Sequence, residues 1–217
     1  MKERPILFSA PMVRAILDGS KTQTRRVMKV QPPGEGFQMT TCVSTTGDRR
    51  EVGKHRWAQV IGNNINEAGD YFSCPYGYTG DLLWVRESLR FVAVGDNRHE
   101  HAVYAADGVR VRRCPDLADW ACDGLAFNCA RSVPSIHMPR WASRILLEVT
   151  GVRVERLQDI SETDSWAEGI STTDAARYDA EEPSARGAYK NLWEQINGAG
   201  SWDANPRVWV VEFKRID

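Results

Sequence analysis

A chain of 217 residues with 42% hydrophobic and 26% charged side chains holds enough apolar matter for a globular core, and its formal net charge of −1 excludes a protein that coats nucleic acid through bulk electrostatics. No run approaches the roughly 20 apolar residues of a membrane span, and Met1-Lys2-Glu3-Arg4-Pro5 is no secretory leader, so a cytoplasmic protein is expected. The five cysteines, Cys42, Cys74, Cys114, Cys122 and Cys129, contain no Cys-x-x-Cys pair, and His55, His99, His101 and His137 do not supply metal-ligand spacing. Neither a disulfide framework nor a metal site is expected, and no cofactor.

The chain opens with an apolar strand over Pro5 to Ser9. Met12/Ile16 and Val13/Leu17 then recur four apart, which predicts a helix over 11–18 with Ser9 as N-cap and Pro11 in the first turn. Gly19 is placed to end it, because a residue without Cβ accepts the left-handed conformation of a C′ position. Immediately after, Lys21, Thr22, Thr24, Arg25 and Arg26 concentrate an amine, hydroxyls and guanidiniums, and Thr22 to Val27 reads as a strand. Few folds need so many donors in one place.

Residues 31–70, with Pro32-Pro33-Gly34, Gly47, Gly53 and Asn63-Asn64, have weak periodicity and read as a long insertion carrying one hairpin, pinned by Trp57. Leu82 to Glu87 reads as a central strand, Leu83, Val85 and Glu87 on one face, Leu82, Trp84 and Arg86 on the other. In it Glu87 is expected to pair with Arg86. Further strands fall at 91–94 and 101–106, before a second irregular insertion over 107–136.

Ile145 to Thr150 and Val152 to Leu157 predict a long strand or a bulged pair, with Gly151 as the kink. Ser161-Glu162-Thr163-Asp164 has the spacing of a capping box, and the helix it starts would end at Gly169. Glu168 then lies in the last turn, where a carboxylate opposes the helix dipole, a placement that suggests chemistry. Tyr189, Leu192, Trp193 and Ile196 form the apolar stripe of a helix over 185–196, and Val208 to Phe213 reads as a strand buried on both faces. Short strands around a few helices, without a βαβ rhythm, predict an α+β protein built on a small barrel.

The pattern Gly19-x-Lys21-x-x-Thr24-x-Arg26, the helix before it, and Glu168-Gly169 after a short acidic helix resemble the ASCH-domain family, relatives of the PUA-like RNA-binding barrels. Trp84-Val85-Arg86-Glu87, Arg140-Trp141-Ala142-Ser143-Arg144 and Ser201-Trp202-Asp203-Ala204-Asn205-Pro206 resemble the longer phage- and prophage-borne members. The resemblance implies one PUA-like domain over 1–217, a mixed barrel flanked by helices with insertions at about 31–70 and 107–136. It also implies a cleft beside the first helix where Lys21, Thr24 and Glu168 meet.

A small member of that family is an amidohydrolase that removes the acetyl group of N4-acetylcytidine. Its set carries over as a Thr24 nucleophile, a Lys21 proton acceptor and a Glu168 proton donor, with Arg25, Arg26, Trp84, Arg86 and Glu87 as substrate-binding candidates. The hydroxyl attacks the acyl carbonyl, the amine takes its proton, and the acid protonates the departing cytosine amine. A lysine that titrates near 10.4 needs a shift of about three units to act as a base near pH 7, and Arg25 and Arg26 could supply the positive charge for it. The expected partner is a modified nucleoside or a short RNA. The alternative is an RNA-binding module, with or without single-strand ribonuclease activity, or a non-catalytic phage accessory protein.

Overall fold

The computed structural model describes residues 1–42, 53–62, 64–92, 101–111, 132–178 and 183–216. In chain order its elements are β1 (Glu3–Leu7), α1 (Ala10–Leu17), β2 (Gln23–Val27), β3 (Gln38–Thr41), β4 (His55–Ile61), β5 (Asn64–Phe72), β6 (Leu82–Arg86), β7 (Leu89–Val92) and β8 (His101–Tyr104). They continue with β9 (Ser132–Val133), β10 (Leu146–Arg156), α2 (Glu162–Ala167), α3 (Thr172–Tyr178), α4 (Ala185–Asn197) and β11 (Arg207–Ile216). The chain divides into two compact units, residues 1–22, 80–149 and 213–217 forming the first, and 23–79 and 150–212 the second.

In the first unit β6 is the central strand the sequence predicts. It pairs in parallel with β1, Ile6 opposite Val85, and antiparallel with the start of β10, Trp84 opposite Leu146. Leu83 and Val85 are fully buried on one face. A second small sheet sets β7 between β8 and β9, and its core gathers Leu89, Phe91, Tyr104, Val111, Met138 and Ala142. Helix α1 buries Val13 and Ile16, and Gly19 follows it at φ +84°, as the C′ position required. Ser9 holds the extended N-cap backbone, but its side chain makes no capping bond.

In the second unit β2 is the outer strand beside β11, Arg25 opposite Val210, and β11 neighbours β10. Residues 38–72, expected to hold one hairpin, form a three-stranded antiparallel meander of β3, β4 and β5 with Trp57 buried. His55, Phe72 and Trp209 pack there ring against ring, 5.4 to 6.2 Å between centroids. The other face of β11 supplies Val208 and Val210 to a core with Leu157, Ile160, Tyr189, Trp193 and Trp202. Tyr189 and Trp193 of α4 point inward as the stripe predicts, whereas Ile196 is exposed at the helix end.

Two expectations are corrected and one unpredicted helix is added. The sheets have open, linear strand orders, so among the described residues no barrel closes, and the architecture is α+β with several sheets. Strand β10 runs unbroken past Gly151; a Cβ there would meet the Glu212 carboxylate at 2.7 Å, so the glycine makes room for a side chain and does not kink the strand. Helix α3 was not predicted: its caps are local, Ser171 Oγ accepting from the Asp174 N–H at 3.1 Å, while its sequence has little apolar periodicity. Cys114, Cys122 and Cys129, Trp120 and most of the second insertion lie outside the described residues. Among the described residues no helix is long and apolar enough to cross a membrane.

Candidate functional site

Burying a polar side chain costs free energy unless it is paired, so a short roster of buried polar residues is informative. Among the described residues it comprises Lys21, Gln23, Thr24, Arg25, His55, Glu87, Ser165 and Glu168. Four of these lie within five residues of chain at the start of β2.

The local fold explains how Glu168 is held. Ser161 caps α2, its Oγ accepting from the Asp164 N–H at 3.0 Å and donating to the Asp164 carboxylate at 2.9 Å, so the expected capping box is built. The helix is short, ending at Glu168 as C-cap, and Gly169 follows at φ +87°. Strand β2 lies alongside. Gln23 donates to the Asp164 carbonyl at 2.7 Å and its carboxylate at 3.0 Å. Arg25, two residues on and therefore on the same face, reaches Glu155 at 2.9 Å, Asp164 at 3.2 Å and Glu168 at 3.3 Å.

The Arg25 side chain has no solvent exposure and serves as the counter-ion of these three carboxylates. Beside it Arg153 bonds Glu155 and Glu212 and lies 3.5 Å from Asp164, giving a network of two guanidiniums and four carboxylates. Burial pulls the Asp164 carboxyl up, but hydrogen bonds from Gln23 and Ser161 and the charge of Arg25 outweigh it and hold the group below the usual range. Burial pushes the Tyr189 phenol well above its usual value; the charge of Glu168 adds to this, and Arg25 and Arg26 oppose it.

Alternation puts Thr24, buried and opposite Val211, on the other face of β2 from Gln23 and Arg25. Among the described residues β2 is the outer strand of its sheet. Arg26 shares Thr24's face, opposite Trp209, and is half-buried. Lys21, in the first unit, is 2% exposed; its N–H donates to the Ala15 carbonyl at 2.9 Å and its ammonium lies 5.7 Å from the centre of the Phe8 ring.

The remaining candidates belong to the first unit. Arg86 stacks on Trp84 at 5.3 Å and donates to the Ile136 carbonyl, while Arg140 approaches the same indole at 5.7 Å. Glu87 does not pair with Arg86 as expected. Neighbours in a strand point to opposite faces, and Glu87 is instead gripped in two hydrogen bonds by Arg144, at 2.8 and 2.9 Å. Burial raises its carboxyl above the usual range against the pull of Arg144.

Sequence reasoning missed Gln23, Glu155, Asp164 and Arg153 as parts of the network. Gln23 and Arg25 share a strand face, which was a readable signal; the acids they meet come from more than a hundred residues away, which was not. No group of three or more histidines, cysteines or acids suited to a metal ion occurs among the described residues. Comparison with protein families, curated proteins and solved structures finds no match to this chain.

Proposed function

We propose that the chain is an ASCH-type, PUA-like amidohydrolase that cleaves an acyl amide on a modified nucleoside such as N4-acetylcytidine. The observation that carries the reading is burial. Lys21, Thr24 and Glu168, the set the resemblance singles out, are 2%, 3% and 5% exposed and account for three of the eight buried polar residues described. Enclosing an amine and a carboxylate costs free energy unless each is paired, and perturbed, enclosed polar groups cluster at functional sites, which supports the reading.

In this reading the Thr24 hydroxyl attacks the acyl carbonyl carbon, and the resemblance gives Lys21 as the acceptor of its proton. The tetrahedral oxyanion collapses, the C–N bond breaks, and the leaving exocyclic amine takes a proton, for which the resemblance gives Glu168 as the donor, to give cytidine. Water then attacks the acyl-threonine ester, releasing acetate and restoring the hydroxyl. Arg25 is a positioning residue: its three carboxylate contacts fix the end of α2 and with it the Glu168 side chain.

The test is incubation of the purified protein with N4-acetylcytidine, with chromatographic measurement of cytidine and acetate. Wild type is expected to turn over, and Thr24→Ala, Lys21→Met and Glu168→Gln each to lose on the order of 100-fold or more in kcat/KM. Intact nucleoside after prolonged incubation, together with RNA affinity that falls steeply with salt, would replace the enzyme by an RNA-binding module.

A further inference from the structure

The first unit holds a cavity of about 380 Å³ that none of the expected catalytic residues lines. That is room for a single heterocycle with a sugar attached. Its apolar walls include Trp141 and Val111, both packed in the small-sheet core, and its polar groups include Arg110 and Arg144.

Arg144 is the built part of the site. Two of its nitrogens grip Glu87 at 2.8 and 2.9 Å, a third meets Asp107 at 2.6 Å, and its guanidinium carbon lies over the Tyr104 ring, 3.8 Å from its centre. Tyr104 is in turn fixed by its hydroxyl, which donates to the Ala142 carbonyl at 2.8 Å. Asp107 is held by the Val109 N–H at 3.0 Å. Burial raises the Asp107 carboxyl, yet the bonds from Arg144 and Val109 bring it below the usual range, so it stays a carboxylate. The guanidinium therefore cannot rotate away, and its N–H donors not taken by these carboxylates are aimed by the clamp.

Charge selects the ligand. Two carboxylates, Glu87 and Asp107, stand against two guanidiniums, Arg144 and Arg110, so the site presents directed donors without a net positive field. Such a site gives little to a phosphate and suits an uncharged planar ring with carbonyl acceptors. We propose that this cavity is a second binding site, for the base of an uncharged nucleoside, with ring carbonyls accepting from Arg144 and Arg110 and the ring lying against Trp141. It stands independently of the hydrolase reading, since Thr24 and Glu168 take no part in it.

Titration calorimetry and saturation-transfer NMR of the full chain with uridine, cytidine and uridine monophosphate, at low and high salt, test this. Saturable, salt-insensitive uridine binding is expected, unchanged in Thr24→Ala and about tenfold weaker in the surface variant Arg110→Ala. Trp141→Leu, checked for fold by circular dichroism, is expected to abolish the transfer to ring protons. Absence of binding, wild-type affinity in Arg110→Ala, loss of binding in Thr24→Ala, or a preference above about tenfold for the monophosphate that fades with salt would each overturn the proposal.

Discussion

Replacing Arg25 by methionine is the sharpest probe of how the end of α2 is held. Methionine keeps most of the apolar stem and deletes only the guanidinium, which touches Glu155, Asp164 and Glu168. The three losses are unequal. Glu155 and Asp164 are about a quarter exposed, at 23% and 27%, and both keep Arg153, so each loses no more than about 1 kcal/mol. Glu168 is only 4% exposed in its side chain, and removing a cation from a buried carboxylate costs about 3 to 5 kcal/mol. A total near 4 kcal/mol would lower the melting temperature of a chain of this size by roughly 8 to 16 °C. In urea, followed by far-UV circular dichroism, the midpoint should fall by about 2 M at unchanged slope. Adding Glu168→Gln to Arg25→Met should recover part of the loss, because the orphaned charge is gone. A loss below about 1 kcal/mol, or a double variant no more stable than the single one, would refute the claim that this contact is a buried, dependent ion pair.

Burial lowers the His55 imidazole below its ordinary value of about 6.5, so the neutral ring is the folded form. Its stabilising contribution is complete above that value and is lost as the pH falls through it towards the lower folded value, with a slope of at most about 1.4 kcal/mol per pH unit; urea melts between pH 7 and 5 should show this slope in wild type and not in His55→Phe. Ser161→Ala removes the acceptor of the Asp164 N–H and should cost about 1 kcal/mol, with a matching loss of hydrogen-exchange protection in the first turn of α2. Leu147→Ala, at a position with no exposure in the centre of the first unit, should cost about 2 to 5 kcal/mol by calorimetry.

Much of the local structure was readable from short-range chemistry. Four-residue spacing, a proline in the first turn and Gly19 mark α1; the Ser161 and Asp164 spacing marks the start of α2; unbroken apolar residues mark β11. What failed did so for physical reasons. The β3–β4–β5 meander has half-exposed strands without clean alternation, so its three-strand pairing carries little signal in the residues. Gly151 looked like a break because a glycine in a strand has two readings, and only the Glu212 side chain beside it decides between them.

The candidate site divides along the same line. That Lys21, Thr24 and Arg25 form a dense polar run and that Glu168 closes a short helix was visible in the sequence; that all four are buried was not. Nor was it visible which of them are partners. Strand period two sends Glu87 away from Arg86 and onto Arg144, fifty-seven residues distant, and brings Arg25 onto Glu168, one hundred and forty-three residues distant. Ion pairing depends on separations of a few ångströms, and a chain fixes those only between near neighbours; for residues this far apart the register of β2 on β11 and the docking of α2 set them.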